Sequence, residues 1–180
     1  MAYKHELIAR IKDFNKWPAF DRPDFLQELN TVGDDAFSKG TVEGYLASIL
    51  IYHQITEEMI KLLLECCDFL IQVAIFPAEI QFKRNGRRMF GQILDNLEKS
   101  VSFEKKEEYI SKCKELNEIR IRMVHRLTRK SSLQNIKDQS SRIKGIFDNI
   151  YCLFEEIHDD FKVSFNRYKK DIDWDEWTEE

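Results

Sequence analysis

Apolar positions dominate one stretch of the chain, from Val42 to Ile75. At about 100° per residue, Ile49, Ile51, Tyr52, Ile55, Met59, Ile60, Leu62, Leu63, Leu64, Cys66, Cys67, Phe69 and Leu70 cover well over half of a helical wheel. The polar strip is narrow: Gln54, Glu57, Glu58, Lys61, Glu65 and Asp68. Such a pattern predicts a central helix with neighbours on several sides, ended by Pro77. Upstream, Leu7, Ile8, Ile11 and Phe14 mark one side of a short amphipathic helix over 3–15, which Trp17-Pro18 closes. The turn Asp21-Arg22-Pro23 leads into a short helix at 23–31. Gly33-Asp34-Asp35 is then predicted to break the chain, with the next helix starting near Asp34 or Thr41.

Downstream of the central helix, residues 78–87 read as a loop around the Asn85-Gly86 turn. A helix follows at 87–99, with Met89, Phe90, Ile93, Leu94 and Leu97 facing inward. Ser102 is predicted to cap a helix from Phe103 to Thr128, and Ser131-Ser132 to end the connection after it. The last helix runs from Leu133 to Tyr168, carrying Ile136, Ile143, Ile146, Phe147, Ile150, Phe154, Ile157, Phe161 and Phe165 at helical spacing. At about 1.5 Å per residue it outlasts the width of one domain, so its end is predicted to project or to pack on a partner. The pattern implies an all-α, up-and-down bundle of about five helices over residues 1–170. An acidic tail, 171–180, follows, in which Trp174 and Trp177 interleave with six acids.

Composition narrows the class. The 180 residues are 43% hydrophobic and 33% charged, with 6 Gly, 3 Pro and a net charge of −4, which suits a soluble helical domain. The charged N-terminus is unlike a signal peptide, and no uncharged apolar run is long enough to span a bilayer, so a cytoplasmic protein without membrane contact is expected. Cys66, Cys67, Cys113 and Cys152 lack CxxC spacing and read as buried free thiols. No phosphate-binding glycine loop, catalytic triad or dinucleotide fingerprint occurs, so no cofactor is expected. No metal is expected either: His158, among Glu155, Glu156, Asp159 and Asp160, reads as part of a solvated face.

Candidate chemistry gathers on the fifth predicted helix. Cys113, Leu116, Met123, Val124 and Leu127 form its apolar stripe, with Ile110 and Ile121 at the edge and Arg120 inside it. A guanidinium on a core-facing stripe calls for a partner, and Glu57 or Glu58 of the central helix would serve, tying two helices together. His125 follows five positions on, about 140° round an ideal helix. The two would converge only across a dimer or at a distorted helix end; otherwise His125 serves as a cation near a helix C-terminus. Lys83, Arg84, Arg87 and Arg88 surround the Asn85-Gly86 turn, and Arg122, Arg126 and Arg129 share the solvent face beside His125. These form either an anion-binding surface for a phosphate backbone or simply solvated helix ends. Phe82 and Phe90 flank the first cluster, either to stack bases or as core. His53, on the apolar face of the central helix, reads as a satisfied core histidine or as part of a cleft wall. The tail either docks on a basic surface or covers the bundle end.

The run Leu116-Asn117-Glu118-Ile119-Arg120-Ile121-Arg122-Met123-Val124-His125 resembles the Arg-x4-6-His signature of the HEPN superfamily. It is similar also to the related mannitol-repressor-like proteins. The helix Ser48–Leu63, with its carboxylates ahead of a leucine run, and the stretches Phe25–Leu29 and Met89–Leu94 extend the likeness over roughly residues 20–130. The resemblance implies nucleic-acid handling, including metal-independent RNA cleavage in toxin–antitoxin or defence systems. His125 would move a proton as the 2′-hydroxyl attacks the adjacent phosphate, and Arg120 would stabilise the transition state. It implies a homodimer, with RNA and a cognate protein as partners. Active members usually carry Asn, Asp or His after the arginine, whereas this chain has Ile121. That departure keeps open a non-catalytic, mannitol-repressor-like regulatory or interaction module.

Overall fold

The computed structural model describes residues 2–20, 25–82, 89–125 and 133–171. These form six helices: α1 (Ala2–Lys12), α2 (Phe25–Ser38), α3 (Val42–Ile75), α4 (Phe90–Glu98), α5 (Lys106–His125) and α6 (Leu133–Asp171), with a 3-10 turn at Phe14–Lys16 after α1. The all-α bundle of about five helices is as the sequence pattern predicts. No helix is long and apolar enough to cross a membrane among the described residues. The acidic tail lies outside them, apart from Asp171 at the end of α6.

Helix α3 is the hub. It packs against α2, α4, α5 and α6, and the bundle shares one continuous core from Ile11 to Phe165. Both of its ends have a local cause. Thr41 has extended backbone and its hydroxyl accepts from Gly44 N at 3.1 Å, an N-cap for one orphan donor. At the other end Gln72, 4% exposed, donates to Ala78 O (2.8 Å) and accepts from Ile80 N (3.1 Å), so the chain leaving the helix is pinned back on it.

Helix α2 departs from expectation. It runs unbroken through Gly33-Asp34-Asp35. Gly33 is a contact residue, since a Cβ there would meet Tyr52 Cε1 at 2.8 Å. The missing side chain lets α2 lie directly on α3. Asp34, one residue on, accepts from Tyr52 Oη (2.6 Å) and from Lys144 Nζ of α6 (2.8 Å). Three helices thus meet at one polar point, beside the Tyr52–Phe147 stack at 4.4 Å.

The remaining differences are shorter. Met89, expected inside, is 72% exposed and precedes α4 as its N-cap residue. Helix α5 begins three residues later than Ser102 and Phe103 suggest, because Lys105 turns into the left-handed region (φ 60°). The adjacent Lys106 reaches back to Ser100 O (2.9 Å) and Val101 O (3.0 Å). The far end of α6 does not project: Phe165 is fully buried against Trp17 and Phe69. His158, expected in solvent, is 1% exposed beside Phe154. Cys66, Cys67 and Cys113 are buried as predicted, but Cys152 is exposed.

Candidate functional site

The buried stripe of α5 is Tyr109, Ile110, Cys113, Leu116, Ile119 and Met123. Val124 and Ile121, predicted on or beside the core face, are 45% and 39% exposed. The helix is therefore rotated from the expected setting, and Arg120 stands at the border of core and solvent, half-buried. Its Nε is buried and finds no hydrogen-bonding partner among the described residues.

The carboxylates expected to pair with Arg120 are engaged elsewhere. Lys61 bridges Glu57 at 2.9 Å and Glu58 at 3.1 Å, and no ion pair joins either to Arg120 among the described residues. The reason is local. Lys61 sits three and four residues beyond them on the same helix, where such pairs form without spanning an interhelical gap.

The Arg120 charge does reach His53 of α3. The imidazole is 7% exposed, with its ring 4.6 Å from that of Phe90. Its Nε2 is also buried without a partner among the described residues. Burial first, and the Arg120 charge second, hold His53 below the ordinary histidine value; Asn117 and the Glu57 carboxylate oppose them and are outweighed. With an ordinary value of about 6.5, the ring is mostly neutral at pH 7. His53 thus has the Phe90 ring of α4 against it, a side-chain hydrogen bond with Asn117 of α5, and the Glu57 and Arg120 charges within electrostatic reach. Leu50, one turn before His53 on α3, is 54% exposed.

Each of the two orphan nitrogens is a liability for the fold. An unsatisfied buried donor or acceptor costs about 1–3 kcal/mol, and native structures seldom keep one without a use. Chemically the pair offers a guanidinium N–H, which can only donate, next to a neutral imidazole, which can donate or accept. Periodicity alone could not find this site. The available signal was the coincidence of His53 and Arg120 on two helices predicted to pack together.

The predicted partner of Arg120, His125, is the last residue of α5. The helix is continuous through both positions, so its 100° steps hold them about 140° apart; the His125 side chain lies outside the described set. Of the basic cluster, Arg122 is exposed, its Nε donating to Glu118 O at 3.3 Å. Lys83, Arg84, Arg87, Arg88, Arg126 and Arg129 lie outside the described residues, and Phe90 is core.

A shallow groove of about 750 Å³ runs along the first half of α5, lined in part by Glu98, Lys106, Glu107, Lys114, Glu115 and Glu118. Its Lys114 already pairs with Glu98 at 2.9 Å. Four glutamates make it a poor host for a phosphate backbone. Among the described residues no group of three or more His, Cys, Asp and Glu side chains is placed to hold a metal ion. No protein family, curated protein or solved structure matches this chain.

Proposed function

We propose that this chain is a nucleic-acid-handling protein in which Arg120 contacts a phosphate. The observation that carries the reading is the state of Arg120: a half-buried guanidinium that, among the described residues, has no carboxylate partner and leaves its buried Nε unsatisfied. Guanidinium is well matched to phosphate oxygens in charge and geometry. The HEPN resemblance supports RNA as the substrate class and His125 as the proton-moving group. A neutral histidine can accept the 2′-hydroxyl proton while Arg120 takes up the charge that develops on phosphorus-bound oxygens. Because positions 120 and 125 lie about 140° apart on a continuous helix, cleavage would require His125 from a second protomer. The exposed Leu50, Ile121 and Val124 give such a homodimer an apolar surface to bury. A cytoplasmic setting and a cognate protein partner belong to the same reading.

A second reading is favoured by a specific residue. Ile121, 39% exposed beside Arg120, cannot hydrogen-bond, where active HEPN members carry a polar group. It suits a regulatory or interaction module that binds without cleaving.

Labelled RNA incubated with the protein in EDTA tests both. Cleavage by the parent, absent in Arg120→Ala and His125→Ala variants that keep their helical circular dichroism, supports the enzyme. Binding without cleavage, weakened in Arg120→Ala, supports the module. Failure of the parent to bind or cut RNA at low salt overturns the nucleic-acid reading.

A further inference from the structure

His53 belongs to no motif in the sequence, yet it is the most deeply buried of the polar groups around Arg120. The nature of a ligand that would satisfy both residues follows from their chemistry. Arg120 Nε–H can only donate, so the ligand atom must be an acceptor. A metal cation is repelled by the guanidinium. A neutral acceptor would complete the hydrogen bonds but give the guanidinium no charged partner, and Arg120 makes no ion pair with Glu57 or Glu58, which bridge to Lys61, among the described residues. An oxyanion answers both needs, and a tetrahedral one has oxygens enough to reach donors on two helices. We propose that His53, Asn117 and Arg120 form a subsite for a single phosphoryl group, with His53 as a binding residue. The subsite rests on the nucleic-acid reading for its biological source of phosphate, but its chemistry stands on the α3–α5 contact alone.

A consequence separates this site from a merely basic patch. The groups facing His53 are Glu57 from its own helix, Phe90 from α4, and Asn117 and Arg120 from α5. In the free protein, burial and Arg120 keep the imidazole neutral. A bound phosphate offsets the Arg120 charge with a negative one, so the ring takes a proton from solvent, keeps it, and donates an N–H hydrogen bond to a phosphate oxygen. Binding is therefore accompanied by proton uptake.

The test uses the full chain and two probes, inorganic phosphate and a single-stranded RNA oligonucleotide. Each is titrated calorimetrically at pH 7 in two buffers of different ionisation enthalpy, and proton uptake is read from the difference. Phosphate is expected to bind in the millimolar range, as befits one small anion, with uptake of a proton. Arg120→Ala should weaken it by about tenfold or more, the loss of a charge-assisted bond. His53→Gln keeps a hydrogen-bonding group and should still bind phosphate, more weakly, and with less proton uptake than the parent, the difference removing the titration of phosphate itself. The folding of each variant is checked by thermal melting. No saturable phosphate binding by the parent, or affinity and proton uptake unchanged in folded His53→Gln, overturns the subsite. RNA binding that persists undiminished in His53→Gln while phosphate fails to bind overturns it and leaves the nucleic-acid reading standing. Phosphate binding with proton uptake but no RNA binding upholds the subsite and sinks that reading instead.

Discussion

Gly44→Ala is the most demanding test of how α2 and α3 meet. Gly44 lies in the first turn of α3, and a Cβ built there would stand 2.3 Å from Ala36 O, 3.2 Å from Lys39 Cβ and 3.3 Å from Thr41 Oγ1. The nearest obstacle is a backbone carbonyl in the last turns of α2, which cannot rotate aside as a side chain can. Overpacking of this kind costs about 1–3 kcal/mol, and a rigid obstacle argues for the upper end. Relief by moving Gly44 would break its bond to Thr41 Oγ1, at about 1 kcal/mol for a lost N-cap. Against this stands the better helix propensity of alanine, about 1 kcal/mol. The net expectation is a loss of about 2–3 kcal/mol, and a melting point lower by about 4–12 °C for a domain of this size. Gly145→Ala is the control, because Gly145 is exposed within α6 and a Cβ there meets nothing within 4 Å. It should stabilise by up to about 1 kcal/mol. Urea titration followed by circular dichroism measures both. A Gly44→Ala variant as stable as the parent, or one that tracks Gly145→Ala, would refute the packing described for the α2–α3 corner.

Two further expectations concern charge and thiols. Burial opposes the charge on Asp34, but hydrogen bonds from Lys144 and Tyr52 outweigh it and hold the carboxyl below its ordinary value of about 3.9. A depressed folded value means the contribution is fully present above the unfolded one and is lost as pH falls through the folded one. Asp34→Asn should therefore melt below the parent at pH 7, with the gap closing only at pH below about 3.9; a gap independent of pH would contradict the Lys144–Asp34–Tyr52 junction. Burial also pushes the Cys66 and Cys113 thiols up, whereas Cys152 is exposed. A thiol reagent at neutral pH should modify one cysteine, Cys152, rapidly in the native protein, and all four after denaturation. Rapid native labelling of a second cysteine would contradict the packing around α3.

The sequence was most informative where one element carries several concordant signals. Helix α3 could be bounded at Val42 and Ile75 because Thr41 caps it, Pro77 follows it and the apolar pattern between them never lapses. It was misleading where one residue type serves two purposes. Gly33 reads as a helix breaker, yet here it is the place where two helices touch, and only the partner surface distinguishes the two roles. The length of α6, 39 residues or about 58 Å, suggested an overhang because the aromatic residues that receive Phe165 come from a distant part of the chain. At the candidate site, burial of Arg120 was anticipated but its partner was not. A lysine four residues along α3 competes for Glu57 more effectively than an arginine across a helix interface. His53 was placed on the core face, where it is buried, but whether its nitrogens are satisfied was not legible, since a histidine on an apolar face follows the same periodicity either way.

The seating of α6 also governs when the protein can fold during its synthesis. The stacked partner of Tyr52 is Phe147, and the ring that closes over Trp17 and Phe69 is Phe165. At about 5–20 residues per second, Phe147 is made on the order of 5–20 s after Tyr52. For most of that interval, once Ile75 has been made, the most apolar helix of the chain is complete without the helix that covers it. A nascent chain stopped before α6 would present the α3 face to chaperones or to other chains, so ribosome-bound intermediates are the species in which this otherwise well-covered protein is open to aggregation.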